Sequence, residues 1–150
     1  MNAGKICTRN VAVVDGNTTV LDAARRMRTE HVGDLVVVED QGGHLVPIGI
    51  VTDRDIVVSL VARGIEGFDR LLVQDLLVRP VVTVRVDEDS AVVARRMREN
   101  GVRRLPVVDA RGDLVGILSV DDLIGVLHAE LDQLARLVST QRELEYAARP

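Results

Sequence analysis

The chain repeats itself. Ala23 to Asp40, "AARRMRTEHVGDLVVVED", lies over Val93 to Ala110, "VARRMRENGVRRLPVVDA", with Met27 on Met97 and Leu35 on Leu105, a spacing of 70 residues. Past Gly42 and Gly112 the spacing drops to 67, because the first copy carries three more residues around "GGHLVPIG". Gly49 then meets Gly116, Thr52 meets Ser119 and Asp55 meets Asp122. A match this long with one gap is a duplication, and a duplication makes the repeat the folding unit.

Each copy predicts the same run of elements. A short strand ("NVAVVD", "PVVTVRV") precedes a polar cap ("GNTT", "DEDS") and then a helix. In the first copy Val20, Ala23, Ala24 and Met27 recur on that helix at i, i+3, i+4 and i+7. "LVVV" and "LPVV" have the all-apolar pattern of strands buried on both faces. A glycine turn leads to a second strand and a second helix, which in the first copy stops near Gly64. The order is strand-helix-strand-strand-helix, twice, an α/β class in which neither half covers its own sheet. With 150 residues, 47% of them apolar but only 1% aromatic, the expected architecture is two half-size units sharing an aliphatic core. The boundaries read as 6–64 for the first unit, 65–74 for a linker, 75–128 for the second and 129–150 for a helical extension.

That extension continues the last helix without a break. "DDLIGVLHAELDQLARLVSTQRELEYA" carries Leu123, Leu127, Leu131, Leu134 and Val138 on one stripe, longer than a unit of this size needs for its own core. The stripe either folds back on its own domain or meets the stripe of a second copy in a homodimer.

Several function classes fall away. A net charge of −4 disfavours a general polyanion binder, and the lack of aromatics removes base-stacking platforms, so no nucleic-acid partner is expected. The basic runs Arg25, Arg26, Arg28 and Arg95, Arg96, Arg98 read as the wet face of a helix. His31, His44 and His128 lack metal-ligand spacing and read as surface or turn residues. The single cysteine, Cys7, reads as a small apolar filler and excludes an internal disulfide. No apolar leader or membrane-length run is present, so a cytoplasmic protein with no membrane partner is expected. No nucleophile with a partner base and no phosphate-binding glycine loop stands out, so an enzyme is not expected.

The duplicated phrase "GIVTDRD" and "GILSVDD" supplies the candidate site. One reading is a capping box: Thr52 or Ser119 caps a helix, and Asp55 or Asp122, three residues on, returns the hydrogen bond. The other is a ligand site. The phrase stands twice where a strand's carboxyl end runs into a helix's amino end, where free amides favour an anion and a carboxylate one turn in can accept hydrogen bonds from a ribose diol.

These residues resemble a known signature. The glycine-x-x-Thr/Ser-x-x-Asp-aliphatic phrase, with "GVRRLPVVDARGDLVGILSVDDL", is similar to the signature of CBS domains, over about residues 6 to 128. The resemblance implies tandem CBS repeats packed sheet to sheet as a pseudo-twofold pair, a Bateman module, with an extended C-terminal helix. It implies clefts for adenosyl ligands (AMP, ADP, ATP, NAD or S-adenosylmethionine) and no resident cofactor. Asp55 and Asp122 would then bind ribose, and Thr52 and Ser119 would face phosphate. Adenine would lie against the stretches containing Val11, Val13, Val81 and Thr83 and the buried strand of Pro106.

Phosphate needs positive charge, and here the copies part. Copy two has Arg103 and Arg104 before Leu-Pro, where copy one has Gly33 and Asp34. The arginines read either as a solvated strand edge or as a phosphate clamp, and Arg54 is a further candidate for copy one. Two unequal sites are expected. The function expected is a regulatory sensor of an adenosyl nucleotide that signals through association, shape change or an unidentified protein partner. The alternative is an interaction scaffold whose clefts are vestigial.

Overall fold

In both copies the long apolar strand is the centre of a three-stranded sheet. The structure, a computed structural model, describes residues 1–148. In the first half, β1 (Val13–Asp15) pairs in parallel with β2 (Asp34–Asp40), which pairs antiparallel with β3 (Leu45–Thr52). In the second half, β4 (Val84–Arg85), β5 (Arg104–Val108) and β6 (Leu114–Ser119) repeat that order. The central strands have no wet face to offer, and Leu35, Val36, Val37, Leu105, Pro106 and Val107 are fully buried.

The crossover helices are α2 (Val20–Glu30), capped by Thr19, and α4 (Ser90–Asn100), capped by Asp89. Val20, Ala23 and Met27 of α2 are buried in the first core, and Val93 and Met97 of α4 in the second. Both helices end on a left-handed residue, His31 in the first copy and Gly101 in the second, which makes His31 a turn residue. The basic faces are largely solvated, but Arg96 is built in: it donates to the Thr83 carbonyl at 2.6 Å and pairs with Glu88 at 2.6 Å.

The second helices differ in length. After β3, α3 (Asp53–Ile56) widens into a π-helical turn (Val57–Val61) and stops by Gly64, whose φ is 64°. After β6, α5 runs from Val120 to Ala147. The expected extension ran to residue 150, and residues 149 and 150 lie outside the described residues. Only Leu123 of the stripe is buried; Leu127, Leu131, Leu134 and Val138 are more than half exposed. The stripe does not fold back on its own domain.

A short first helix, α1 (Ala3–Ile6), has an unexpected address. Ala3 is buried in the second half's core beside Val84 and Leu118, and the amides of Ala3 and Gly4 donate to the carbonyls of Glu88 and Val86. Seventy residues on, Val73 does the mirror image. It is buried in the first half's core, and the amides of Val73 and Gln74 donate to the carbonyls of Thr18 and Gly16. Each half therefore lends its lead-in to the other. The 65–74 stretch is not free chain: two 3₁₀ turns, Phe68–Arg70 and Val73–Leu76, seat it on the first half.

Exchange explains the glycine of the duplicated phrase. Leu77 presses on β3 at Gly49, where a Cβ would stand 2.5 Å from the Leu77 side chain. Cys7 presses on β6 at Gly116, where a Cβ would stand 2.7 Å from both the Cys7 sulfur and the Thr8 carbonyl. Glycine in a strand interior marks such a close approach. The two halves also touch along β3 and β6. Their sheets face each other as a pseudo-twofold pair.

Candidate functional site

Both strand-to-helix junctions carry a complete capping box. Thr52 Oγ1 accepts from the Asp55 amide at 3.1 Å, and the Thr52 amide donates to Asp55 Oδ2 at 2.8 Å. In the second copy the Ser119 amide donates to Asp122 Oδ2 at 2.7 Å, the Ser119 hydroxyl donates to the same oxygen at 2.6 Å, and the Asp122 amide donates back at 3.2 Å. The cap takes one oxygen of each carboxylate. Oδ1 of Asp55 and of Asp122 makes no hydrogen bond among the described residues, and a carboxylate has room for about four. Cap and ligand site are thus compatible on one side chain.

Both carboxylates line clefts, and each cleft is built from both halves. The first cleft, about 640 Å³, brings Asp55 of the first half to Val81, Val82, Val102 and Arg104 of the second. The second, about 250 Å³, brings Asp122 and Ser119 of the second half to Val11, Val36 and Asp34 of the first. Small-molecule sites run from about 300 to 1,000 Å³, so the first is nucleotide-sized and the second falls short.

The expected site residues divide accordingly. Val81, Asp55 and Arg104 share the first cleft; Val11, Ser119 and Asp122 share the second. Thr52 caps α3 without lining the first cleft. Val13 and Pro106 belong to the sheets, paired with Val36 and Ile117, and Thr83 is tied through its carbonyl to Arg96; none of the three lines a cleft. Pro106 is fully buried, so it offers no surface to a base. Arg103 and Arg54 are exposed and line neither cleft; the Arg103 carbonyl instead receives the Val120 amide.

Arg104 takes an unexpected position. It opens β5, as Asp34 opens β2, and the two lie at equivalent points of the repeat, opposite Ser119 and Thr52. They meet across the pair, Arg104 Nε to Asp34 Oδ2 at 3.4 Å. Arg104 lines both clefts, whereas Asp34 lines only the second. The sequence left open which cleft each arginine faces, and the structure sets Arg104 of the second half in the cleft of Asp55.

Sequence reasoning missed Arg79 and Glu99, which line the first cleft. Arg79 stands 70 residues after Arg9, two residues before Val81 as Arg9 is before Val11, and that repeat was the available signal. Beside Gly116, burial pushes the Cys7 thiol up, against the opposing charge of Arg9 and with a small addition from Asp122. Among the described residues no cluster of three or more His, Cys, Asp or Glu could hold a metal ion.

A family model for the CBS domain matches residues 3–62 and 73–129. The chain belongs to the CBS-domain family. Both matched spans begin on the exchanged lead-ins, Ala3 and Val73. An uncharacterized protein of Methanopyrus kandleri is 32% identical over 126 residues, covering 84% of this chain and 62% of that protein, so this CBS pair spans less than two thirds of that relative. The cytosolic domain of the Mg2+ channel MgtE, solved in complex with ATP, is 32% identical with a TM-score of 0.69, over 83% of this chain and 48% of that one. The CBS domain pair of protein MJ0100, solved with 5-methylthioadenosine and S-adenosyl-L-methionine, shares the fold at a TM-score of 0.72 and 22% identity, over 87% of this chain and 98% of that one. Among the described residues no helix is long and apolar enough to cross a membrane.

Proposed function

We propose that this CBS pair is a non-catalytic sensor that binds an adenine nucleotide such as AMP, ATP or NAD in the first cleft. The observation that carries the reading is the meeting of Asp55 and Arg104, from different halves, in one cleft of about 640 Å³. Asp55 Oδ1 accepts from the ribose hydroxyls, Arg104 and Arg79 face the phosphates, and Val81 and Val82 supply the apolar wall for adenine. A guanidinium bond to phosphate adds about 1.5–3 kcal/mol, so cleft charge decides between nucleotide and nucleoside. The ATP bound to the MgtE cytosolic domain supports this ligand class. Output passes through association of two copies along the exposed stripe of α5 or through an unidentified protein partner, in the cytoplasm.

The complete capping boxes favour a second reading, a scaffold in which Asp55 and Asp122 do no more than start helices. A thermal-shift screen against AMP, ATP, NAD and S-adenosylmethionine separates the two. A ligand at 100 times its Kd stabilises by about 2.7 kcal/mol if the clefts bind. Asp55→Asn keeps an acceptor for the cap but blunts the ribose contact, so it removes the ATP shift while leaving the unliganded midpoint near wild type. No shift with any ligand, on a well-folded protein, favours the scaffold.

A further inference from the structure

The pseudo-twofold relation places opposite charges at the same point of the repeat. Asp34 and Arg104 each begin the central strand of their half, and each faces the cleft that holds the other half's carboxylate. The first cleft thereby gains a guanidinium and the second gains a further carboxylate. The Asp34 side chain is 18% exposed and that of Arg104 45%, so the arginine is the partner with freedom to move. Arg104 also borders both clefts, and its Nε, at 3.4 Å from Asp34, makes a long ion pair that leaves the fork of the guanidinium available.

We infer that Asp34 and Arg104 form a shared latch that makes the two clefts select ligands of opposite charge class. Asp34 competes with a bound phosphate for Arg104. A nucleotide phosphate in the first cleft draws the guanidinium away, and the Asp34 carboxylate is then left beside Asp122 in the second cleft. Two carboxylates without a guanidinium repel a second anion, so the second cleft accepts only an adenosyl ligand without phosphate. The coupling is reciprocal, as linkage requires: a second-cleft ligand that engages Asp34 frees Arg104 and tightens nucleotide binding in the first. This inference rests on the nucleotide reading of the first cleft and adds which charge each cleft tolerates.

Calorimetric titration of ATP and of adenosine into wild type, Asp34→Asn, Arg104→Ala and the double variant tests it. Wild type is expected to take one ATP per chain. Asp34→Asn, by removing the competitor, raises first-cleft ATP affinity about two- to fivefold, the scale of a partly exposed ion pair. Adenosine affinity does not rise in Asp34→Asn, and the double variant loses the ATP gain. An unchanged ATP affinity in Asp34→Asn overturns the latch while leaving the nucleotide reading standing. An equal gain for adenosine and ATP overturns it too, because the effect is then structural. A wild type that binds neither ligand removes the nucleotide reading and the latch together. Should Asp34→Asn fail to fold, Asp34→Ser carries the same comparison.

Discussion

His44 Nδ1 lies 2.8 Å from Asp113 Oδ2, joining the hairpin tip of one half to the hairpin tip of the other. The hydrogen bond that the imidazolium donates to Asp113, and then the charge of that carboxylate, raise the His44 pKa above its ordinary value. A raised value stabilises the fold fully below the unfolded histidine value of about 6.5 and loses that contribution as pH rises through the folded value. His44→Gln is therefore expected to lower the urea midpoint at pH 6 and to match wild type at pH 9. Equal differences at both pH values would show that the tips are not joined through the charged ring.

The two phrase glycines answer differently to a methyl group. At Gly49 the crowding atoms all belong to the flexible Leu77 side chain, whereas at Gly116 one of them is the Thr8 carbonyl of the backbone. Gly49→Ala and Gly116→Ala each cost about 1–3 kcal/mol by overpacking. Adding Leu77→Ala recovers much of the first loss, while adding Cys7→Ala leaves most of the second. Chemical denaturation of the four variants measures this.

Cap and cleft separate at Thr52. Its side chain serves the cap and does not line the first cleft. Thr52→Ala is expected to cost about 1 kcal/mol of stability, the usual worth of a helix cap, with ATP affinity retained. A parallel loss of ATP affinity would bring the hydroxyl back to the ligand.

Leu131 and Leu134 stand about 65% and 60% exposed on α5, one turn apart. Replacing both with lysine is expected to turn a dimer into a monomer in sedimentation at micromolar concentration, with the thermal midpoint unchanged. A wild type that sediments as a monomer would remove the stripe as an association surface.

The fold was legible because its signals are periodic and doubled. Helical spacing placed Val20, Ala23 and Met27, continuous apolar runs placed β2 and β5, and the duplication made each reading check the other. The candidate site was legible only within one copy. Asp55 and Asp122 stand at helix mouths that local pattern reveals, but nothing local says which half's arginine faces which carboxylate. That depends on how the sheets oppose, so the cleft that Arg104 faces stayed open, and Arg54 and Arg103 entered the candidate set while Arg79 did not. Val13, Thr83 and Pro106 stand outside the two clefts for another reason: strand residues next to a cleft and those in the core share one sequence pattern.

Ala3 fills a place in one hydrophobic interior and Val73 fills its counterpart in the other, so the chain is laced rather than strung. A protease nick between residues 62 and 72 would not liberate two working modules, because each fragment would keep a plug cut for its sibling's socket. Engineers who wish to excise a single repeat must carry along seven or so residues that lie, on the map of the chain, in the wrong place.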